Sequence, residues 1–400
     1  MHSVEPLGVF PPSILLVTGF EPDKRTGGGD IVRFLARKLG PNQLRWFSLA
    51  KPAAPLEEPF RSQWIGSLPL RRLGATRLGL RGFWDWFEST IWSYNGALRI
   101  ASSAKKFNVS HIWFLCDYPI APILPYLQRL LPKVAIHVSV HDHPVFTAEA
   151  VGHSVHYIDR IKKALRKISR TSVSIDTISE ELLATLGDTF GQHTVVTLAC
   201  NKADIAKDLL PVSTQGPLKV AFAGSYLDEE PCNSFLKGLD LWSARTGRPW
   251  KMTVFGPNLQ FRHPGVQMAG FTQPDRLSVE LRKADLLFLP LSFASKALMQ
   301  SNTSLPTKLI TYLNAGRLIV FGVPGESATA RIALEGHLGP LITKPTPEMF
   351  ADAIDQLAGW DMSKAETGRR QLAGNRFNED RIYDRFYATI QRREIDLEAV

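Results

Sequence analysis

The chain has 400 residues, of which 44% are hydrophobic and 21% charged, and its formal net charge is +9. This length and composition exclude a disordered or fibrous chain and predict a globular protein with two domains. No apolar run approaches the roughly 20 residues that a membrane-spanning helix needs. The basic excess predicts an anionic partner, but the lack of a long basic run does not favour nucleic acid.

The three cysteines, Cys116, Cys200 and Cys232, are far apart and form no CxxC pair. Their spacing argues against a disulfide framework or a structural zinc site, so we expect buried thiols. The first dozen residues carry Glu5 and lack the basic start of a secretory signal. The sequence therefore predicts a cytoplasmic protein.

The first half of the chain alternates strands with helices, which predicts a doubly wound parallel sheet of the α/β class. It opens with an apolar strand at residues 13–18, a glycine loop at 27–29 and an amphipathic helix at 30–39. The glycines permit close approach of a ligand, although a surface turn explains them equally well. The loop sequence GGGD does not match the dinucleotide-binding fingerprint GxGxxG. Further strands are predicted at residues 44–49, 111–116, 134–140, 171–175 and 194–198.

A long helix is predicted over residues 81–107, where large apolar residues recur at helical spacing. One face of this helix carries an apolar stripe: Phe83, Phe87, Ile91, Tyr94 and Leu98. Stripes of this kind usually face the core of a globular domain. We therefore expect these five side chains to be buried.

The same helix also carries tryptophans beside the stripe, and arginines precede it. The tryptophans are Trp84, Trp86 and Trp92, and the arginines are Arg71, Arg72, Arg77 and Arg81. Basic residues next to amphipathic aromatic side chains are typical of a membrane interface. Docking of Arg77, Arg81, Trp84 and Trp86 on an anionic membrane or a lipid-linked acceptor therefore stays open beside a plain buried helix.

Polar residues follow two central strands of the predicted sheet. Asp117 follows one strand, and His141, Asp142 and His143 follow the next. Ligands of doubly wound sheets bind at the carboxyl ends of strands, so these residues are candidates for a site. His141 and His143 have the spacing of half a metal site, but no third ligand accompanies them. The sequence therefore predicts no metal, and it favours a polar loop or an acid/base histidine.

The second half repeats the pattern after a segment at residues 208–217 that has the composition of a linker. Its strands are predicted at residues 218–223, 251–255, 266–269 and 285–289, and its helices at 231–246, 274–283, 347–357 and 379–393. Gly224, Gly256 and Gly270 each follow a strand. Glycine at successive strand ends predicts a cleft where backbone amides approach a bulky polar ligand.

The stretch at residues 301–324 predicts a short helix, a stop at Gly316 and a buried strand at 318–321. Lys308 lies in the first turn of that helix, where an added cation costs roughly 0.3–1 kcal/mol. A phosphate docked there would make the lysine favourable at this position, because it would meet free amides and an ammonium together. A solvated lysine explains the residue equally well.

Six segments carry a resemblance to one known family, in order and at suitable spacing. They are the glycine loop and helix at 27–39, VHDHP at 140–144, KVAFAGS at 219–225, MAGFT at 268–272, ADLLFLP at 284–290 and LPTKLITYLNAG at 305–316. Together they resemble the glycosyltransferases of the GT-B fold, and most closely the retaining enzymes of glycosyltransferase family four. The resemblance covers nearly the whole chain.

This resemblance implies two Rossmann-like, doubly wound parallel-sheet domains that face each other across a cleft. The implied division is an acceptor-side domain at residues 1–210, a nucleotide-sugar-binding domain at 211–375 and a C-terminal helix at 376–400 that returns to the first domain. The implied activity is that of a hexosyltransferase that moves a sugar from a nucleotide-diphosphate sugar to an acceptor hydroxyl. Retention of configuration, with no metal or cofactor, is implied as well.

By position, the resemblance also implies site residues. The donor-binding set is Gly28, Gly29, Gly224, Ser225, Gly270, Phe271, Thr303, Ser304, Thr307, Lys308 and Thr311. The implied catalytic residues are Lys308, which would stabilise the leaving diphosphate, and His141, which would contact a sugar hydroxyl or orient the acceptor. The chain departs from the family where Thr303 and Thr311 replace two glutamates and where Ser225 replaces a basic residue.

The implied partners are a nucleotide sugar and a glycan or lipid-linked acceptor, as in bacterial surface polysaccharide or glycolipid assembly. The implied location is the cytoplasm, with peripheral contact to the inner face of the membrane. Two alternatives stay open. A sugar-nucleotide epimerase of the same fold would need acid/base carboxylates that the two threonines do not supply, and a non-catalytic nucleotide-sugar-binding protein would agree with the missing glutamates.

Overall fold

The structure is a computed structural model, and it describes residues 13–22, 27–48, 51–67, 80–170, 174–187, 192–200, 205–224, 229–256 and 263–391. The chain divides into two compact units. The first unit comprises Met1–Thr177, Leu186–Thr194 and Phe386–Ile395, and the second comprises Ile178–Thr185, Val195–Arg385 and Asp396–Val400.

The first unit is built on a seven-stranded parallel sheet. Its strands are β1 (Ile14–Thr18), β2 (Leu44–Ser48), β3 (Trp64–Ser67), β4 (His111–Leu115), β5 (Ala135–Val140), β6 (Ser174–Thr177) and β7 (Gln192–Val195). They lie in the order β3-β2-β1-β4-β5-β6-β7. Its helices are α1 (Gly27–Gln43), α2 (Phe60–Gln63), α3 (Arg81–Phe87), α4 (Ser93–Lys106), α5 (Leu124–Leu130), α6 (Pro144–Val151) and α7 (Val155–Arg170). A π-helical turn at Glu88–Trp92 joins α3 to α4.

Tryptophans tie neighbouring strands of this sheet together. Each of three indole N–H groups donates to a hydroxyl on the adjacent strand: Trp46 to Thr18 at 2.8 Å, Trp64 to Ser48 at 2.9 Å and Trp113 to Ser139 at 2.7 Å. Trp46 and Trp113 are fully buried, so these bonds satisfy donors that would otherwise be costly to remove from water. The bonds thereby let large aromatic residues fill the core of a parallel sheet.

The second unit is built on a six-stranded parallel sheet. Its strands are β8 (Leu218–Ala223), β9 (Trp250–Phe255), β10 (Val266–Gly270), β11 (Leu286–Pro290), β12 (Leu318–Gly322) and β13 (Leu341–Ile342), in the order β10-β9-β8-β11-β12-β13. The remaining helices are α8 (Glu180–Leu186), α9 (Glu229–Thr246), α10 (Pro274–Leu281), α11 (Leu298–Thr303), α12 (Lys308–Ala315), α13 (Ala328–Glu335), α14 (Pro347–Gln356), α15 (Met362–Gln371) and α16 (Glu379–Ile390).

Strands β11 and β12 are buried at every position, which explains their continuous apolar sequences. On one face of the sheet, Phe288 of β11 stacks on Phe235 of α9 with ring centroids 3.9 Å apart. Phe350 of α14 meets both rings edge-on. The predicted sheet of the second half is therefore confirmed, with helices on both of its faces.

The last helix carries the chain from the second unit back to the first. Ile382, Phe386 and Ile390 of α16 form the predicted apolar stripe and are all buried. The ring of Phe386 lies 4.6 Å from the ring of Trp113 and 5.4 Å from that of His137, both in the first sheet. The end of α16 from Phe386 onwards therefore packs within the first unit. The three cysteines are buried free thiols, also as predicted.

The predicted burial of the stripe on α3 and α4 is wrong. Phe83, Ile91, Tyr94 and Leu98 are all exposed, and only Phe87 of the five is half-buried. The reason is that these helices pack through their opposite face, which holds small residues that allow a close approach. The face that was expected to be core is therefore open.

Several boundaries also differ from the sequence-based expectation. Strand β3 lies within a proline-rich stretch and was not predicted, and helix α15 was not predicted either. Helix α12 begins at Lys308 and not near Leu305, because proline disfavours helical geometry in the residue before it. The segment at residues 208–217 is hydrogen-bonded to the second unit just before β12. In it, Leu210 N donates to Gly316 O at 3.1 Å.

Candidate functional site

In each sheet the order of the strands reverses at one point. The reversal falls between β1 and β4 in the first unit and between β8 and β11 in the second. In doubly wound sheets the crevice outside the carboxyl ends of the strands at this point is where ligands bind. The geometry of the two units therefore singles out the residues that follow these strands.

In the second unit, Lys308 approaches the residues at the end of β8. Lys308 is the first residue of α12, and its Nζ lies 4.7 Å from the ring centroid of the buried Phe222. A Cβ built on Gly224 would come within 3.1 Å of the same Nζ atom. The ammonium therefore stands directly over the glycine that follows β8, where a side chain would require Lys308 or Phe222 to shift.

The electrostatic setting of Lys308 is unusual for a lysine. No hydrogen bond and no ion pair joins its Nζ to another residue in the described part of the chain. Burial lowers the pKa of Lys308 to about 8, while the neighbouring Cys232 acts in the opposite direction. Such a cation, at the positive end of a helix and without a counter-ion, can hold an anion such as a diphosphate.

Tyr312 fixes the position of this helix. Its hydroxyl accepts a hydrogen bond from Ala223 N at 2.8 Å and donates one to Phe288 O at 3.0 Å. Ala223 ends β8 and Phe288 lies in β11, so one buried hydroxyl joins α12 to both strands at the reversal point. Burial raises the pKa of Tyr312, which keeps the hydroxyl protonated and able to donate. Tyr312 is thus a positioning residue for Lys308.

The helix ends where the sequence predicted. Gly316 has a φ of +64°, the left-handed conformation that favours glycine. A Cβ on Gly316 would also approach Asp208 O to 2.8 Å. The eight-residue length of α12 is therefore set by a proline before it and a glycine after it, and its start is held where Lys308 reaches Gly224.

The other predicted residues of this unit lie at several places. Gly270 ends β10 with a φ of +73°, and Phe271 beside it is 63% exposed. Thr303 is buried at the end of α11, where its hydroxyl donates to Met299 O at 3.0 Å. Ser304, Thr307 and Thr311 are half-buried, the latter two at the start and in the first turn of α12, while Ser225 lies outside the described residues. Of the predicted set, the structure thus gathers Thr307, Lys308 and Thr311 on one short helix.

In the first unit, His141 follows β5 and faces the start of α1. A Cβ on Gly28 would come within 2.9 Å of His141 Nδ1, so the glycine is required for this approach. The imidazole is 6% exposed, and its Nδ1 has no hydrogen-bond partner among the residues that the structure describes. Burial lowers the pKa of His141, against the opposing effect of Asp176 and Asp142. A neutral imidazole with one free ring nitrogen can bind a hydroxyl. Gly29 is buried beside it in α1.

Asp176 belongs to a buried polar cluster beneath His141. His137 Nε2 lies 2.6 Å from Asp176 Oδ2, and His137 Nδ1 lies 2.9 Å from Ser174 Oγ. Ser139 Oγ donates to the same carboxylate oxygen of Asp176. These residues are on adjacent strands β5 and β6, and their hydrogen bonds give Asp176 Oδ2 polar partners inside the sheet.

The second histidine after β5, His143, packs against an aromatic ring. The ring of His143 stacks on that of Phe146 with centroids 4.0 Å apart. Burial lowers the pKa of His143 to about 4. Nowhere in the described part of the chain do three His, Cys, Asp or Glu side chains converge as ligands for a metal ion.

The predicted membrane or acceptor residues lie on α3, except Arg77, which falls outside the described residues. Trp86 is 42% exposed and Trp84 is half-buried. Arg81 donates from its guanidinium to Val151 O at 2.6 Å. Among the helices that the structure describes, none combines the length and the hydropathy that crossing a membrane requires.

Sequence reasoning missed Tyr312, although it lies four residues after Lys308 and therefore on the same side of the helix. A tyrosine on the buried face of a short helix is an available signal, because its hydroxyl must find a partner in the core. The sequence alone gives no way to tell that the partner is the end of β8.

No protein-family model matches this sequence, and no curated protein matches it. Solved structures match over nearly the whole chain. The lipopolysaccharide outer core galactosyltransferase WaaB is 14% identical with a TM-score of 0.61, and the match covers 95% of this chain and 99% of that one. Sucrose-phosphate synthase from Thermosynechococcus elongatus is 13% identical with a TM-score of 0.62, covering 95% and 98%. The α,α-trehalose-phosphate synthase (UDP-forming) from Burkholderia vietnamiensis is 12% identical with a TM-score of 0.62, covering 96% and 99%.

These matches, together with the two parallel sheets, define the class of the protein: the chain has the GT-B fold of glycosyltransferases. The predicted fold is therefore confirmed. At 12–14% identity the likeness concerns the fold, so activity has to be argued from the site.

Proposed function

We propose that this protein is a retaining glycosyltransferase that moves a sugar from a nucleotide-diphosphate sugar to an acceptor hydroxyl. The observation that carries the proposal is the position of Lys308, an ammonium at the start of α12 and over Gly224 that has no counter-ion in the described part of the chain. A diphosphate would supply the missing negative charge. It would also accept hydrogen bonds from the amides at the start of the helix.

In the proposed reaction the bond between the anomeric carbon and the diphosphate oxygen breaks, and a bond to the acceptor oxygen forms. The acceptor proton leaves with the departing diphosphate, on whose oxygens negative charge accumulates. Lys308 stabilises that charge, and it requires no metal ion to do so. Pre-organised donors of this kind are more effective in a site from which water is excluded.

For the first unit we assign His141 a contact to a sugar or acceptor hydroxyl through its unpartnered Nδ1. The acceptor that we favour is a glycan or a lipid-linked sugar of bacterial surface polysaccharide or glycolipid assembly. The similar galactosyltransferase acts on lipopolysaccharide outer core, which supports this class of acceptor. A peripheral position on the inner face of the membrane would give access to a lipid-linked acceptor.

The donor can be identified by thermal unfolding of the protein with UDP, GDP, ADP, TDP and CMP. UDP is the first candidate, because one similar structure is of a UDP-forming synthase. A nucleotide at 100 times its dissociation constant adds about 2.7 kcal/mol to the free energy of unfolding. We expect one nucleotide diphosphate to stabilise the wild type and to lose most of its effect in Lys308→Ala.

Transfer itself is tested with the matching nucleotide sugar, with and without an acceptor pool of bacterial glycolipid. Release of the nucleotide that depends on acceptor supports the transferase. Conversion of the donor to an isomer without acceptor would identify an epimerase. Binding without turnover under any condition would leave a non-catalytic binding protein, and unchanged turnover in Lys308→Ala would overturn the assignment of the anion site.

A further inference from the structure

The side of helices α3 and α4 that faces solvent carries a row of large apolar residues, which we call the apolar ridge. Its members are Phe83, Trp86, Ile91, Tyr94 and Leu98, and they are 54%, 42%, 45%, 46% and 40% exposed. Soluble monomers rarely expose contiguous apolar patches of this size without a function for them. We propose that the ridge docks on the surface of an anionic lipid bilayer.

The opposite side of the same helices is the one that packs on the unit. It is formed mostly by small or polar residues, with Ile100 as its one large apolar member: Asp85, Ser89, Ser93, Gly96, Ala97, Ile100, Ala101 and Ala104. The hydroxyls of Ser89 and Ser93 donate to Asp85 O at 2.7 Å and to Glu88 O at 2.6 Å, so their burial leaves no donor unsatisfied. The helices thus bury the face on which most side chains are small or polar, and they expose the face that carries the large apolar side chains. Packing of a hydrophobic core would favour the opposite arrangement.

The π-helical turn keeps the ridge continuous. Trp86 and Ile91 are five residues apart, a separation that would place them on different sides of a regular α-helix. In a π-helical turn the hydrogen bonds join residues five apart, which brings these two side chains onto the same face. Ile91 lies within the turn at Glu88–Trp92, and Trp86 lies two residues before the turn begins. The irregularity therefore serves the exposed face.

The ridge is also held rigidly by the rest of the first unit. Asp85 accepts hydrogen bonds from His153 Nδ1 at 2.8 Å and from Ser154 N at 2.6 Å. Arg81 donates to Val151 O at 2.6 Å. These bonds fix α3 to the turn between α6 and α7. The ridge is therefore held in its exposed position by the rest of the first unit.

Basic residues lie on the ridge helices and on the helix that packs against them. Helix α7, which packs against α3, carries six Lys or Arg residues against a single Asp. Lys163 and Arg166 of that helix are exposed, and Arg99 is exposed next to Leu98 of the ridge. The only acidic residues in α3, the π-helical turn and α4 are Asp85, which is buried, and Glu88, which is half-buried. An apolar face with basic borders complements the interface of an anionic bilayer.

The same charges argue against a second copy of this chain as the occupant. A two-fold symmetric dimer through the ridge would bring the basic borders of both copies together, which would cost free energy. An anionic bilayer would interact favourably with both the apolar ridge and the neighbouring basic residues. The inference rests on the proposed function in one respect: membrane docking would bring the enzyme to a lipid-linked acceptor. The test of docking does not depend on sugar transfer.

The test is co-sedimentation of the full chain with vesicles of phosphatidylcholine containing about 30% phosphatidylglycerol, compared with pure phosphatidylcholine. Two variants probe the surface: Phe83→Ser with Trp86→Ser, and Lys163→Glu with Arg166→Glu. The matched control is Val279→Ser with Leu334→Ser, because these residues of the second unit are 60% and 67% exposed. All six side chains are accessible, so we expect every variant to fold, which the unfolding temperature checks.

We expect the wild type and the control to bind the anionic vesicles, and each surface variant to bind at least about tenfold more weakly. Failure of the wild type to bind, or equal binding by all variants, would overturn the proposal. A wild type that is dimeric by light scattering, with a monomeric Phe83→Ser/Trp86→Ser variant and no vesicle binding, would assign the ridge to self-association instead. Nucleotide stabilisation measured on the same samples reports the donor site separately, so the two proposals can fail independently.

Discussion

The hydroxyl of Tyr312 accepts a hydrogen bond of 2.8 Å from the backbone amide of Ala223. This bond joins the helix that begins with Lys308 to the strand that ends beside Gly224. It lies where the strand order of the second sheet reverses, between β8 and β11. The position of the ammonium over the strand end therefore depends on a buried hydroxyl one helical turn away.

Tyr312→Phe is expected to lower the free energy of unfolding by about 1–3 kcal/mol, because Ala223 N is left buried without an acceptor. It should also weaken binding of the nucleotide diphosphate, since the start of α12 is no longer fixed. Chemical denaturation and calorimetric titration measure the two effects. Tyr126→Phe is the control, because the hydroxyl of Tyr126 makes no hydrogen bond to the described residues. If Tyr312→Phe loses stability but keeps the wild-type affinity for the nucleotide and the wild-type pH dependence of binding, the role of Tyr312 is only structural.

Binding of the nucleotide diphosphate should weaken as the pH rises through about 8, the value to which burial lowers the pKa of Lys308. Below that pH the ammonium is charged and attracts the anion, and above it the amine is neutral. We expect affinity to fall at least about tenfold between pH 7 and pH 9.5 in the wild type. Lys308→Met should bind the nucleotide weakly at both pH values. If its affinity falls by the same factor as that of the wild type, the pH dependence comes from ionisation of the nucleotide and not from Lys308.

The same pKa predicts the sign of a stability effect in the protein without ligand. The pKa of Lys308 is about 8 in the folded chain against an ordinary value of 10.5, so the unfolded chain binds more protons between these limits. The free energy of unfolding should therefore rise with pH across this window, relative to Lys308→Met. Denaturant titrations of both proteins at a series of pH values measure the difference. A difference that falls with pH would contradict the lowered pKa.

Gly224→Ala should weaken nucleotide binding with little change in stability. The added Cβ would lie 3.1 Å from Lys308 Nζ and 3.1 Å from Phe222 Cζ, so the ammonium is the group that can move. We expect a loss of affinity of about fivefold or more and a stability change of about 1 kcal/mol or less. Gly359→Ala is the control, because a Cβ there meets nothing within 4 Å. Wild-type affinity in Gly224→Ala would remove Gly224 from the site.

Gly28→Ala and His141→Ala should act on the same group. A Cβ on Gly28 would lie 2.9 Å from His141 Nδ1 and displace the ring, so it should lower kcat/KM only while the histidine is present. A double-mutant cycle is expected to give a coupling energy of about 0.5–3 kcal/mol. Gly374→Ala, where a Cβ meets nothing within 4 Å, should add independently to His141→Ala. Additive effects of Gly28→Ala and His141→Ala would show that the close approach has no bearing on turnover.

Much of the fold could be predicted from the sequence, because strands buried on both faces have continuous apolar sequences whatever surrounds them. The run at Leu318–Gly322 is one such strand, and Gly316 before it ends a helix through its own backbone preference. Strand β3 escaped prediction because its sequence, WIGS, is short and lies at the edge of the sheet with every residue half-buried. Such a strand carries little periodic signal.

The candidate site was predictable only in part. Lys308 was singled out because a cation in the first turn of a helix conflicts with the helix dipole, and this conflict is a local property. Lys308 and Tyr312 are close in sequence, but the residues that they meet, Ala223 and Gly224, are far from them along the chain, and no local rule shows this approach. The same holds for Gly28 and His141, whose approach depends on the packing of α1 against the end of β5.

The sequence by itself determined the two α/β halves, the buried strand at Leu318–Gly322 and the conflicting charge of Lys308, since each follows from interactions within a few residues. Only the tertiary structure decided which face of α3 and α4 is open. Apolar periodicity shows that a helix has two different faces, but which of them is buried depends on how closely the neighbouring elements can approach. Here Gly96 and Ala97 allow the closer contact, and Phe83, Trp86 and Ile91 are left to the solvent side.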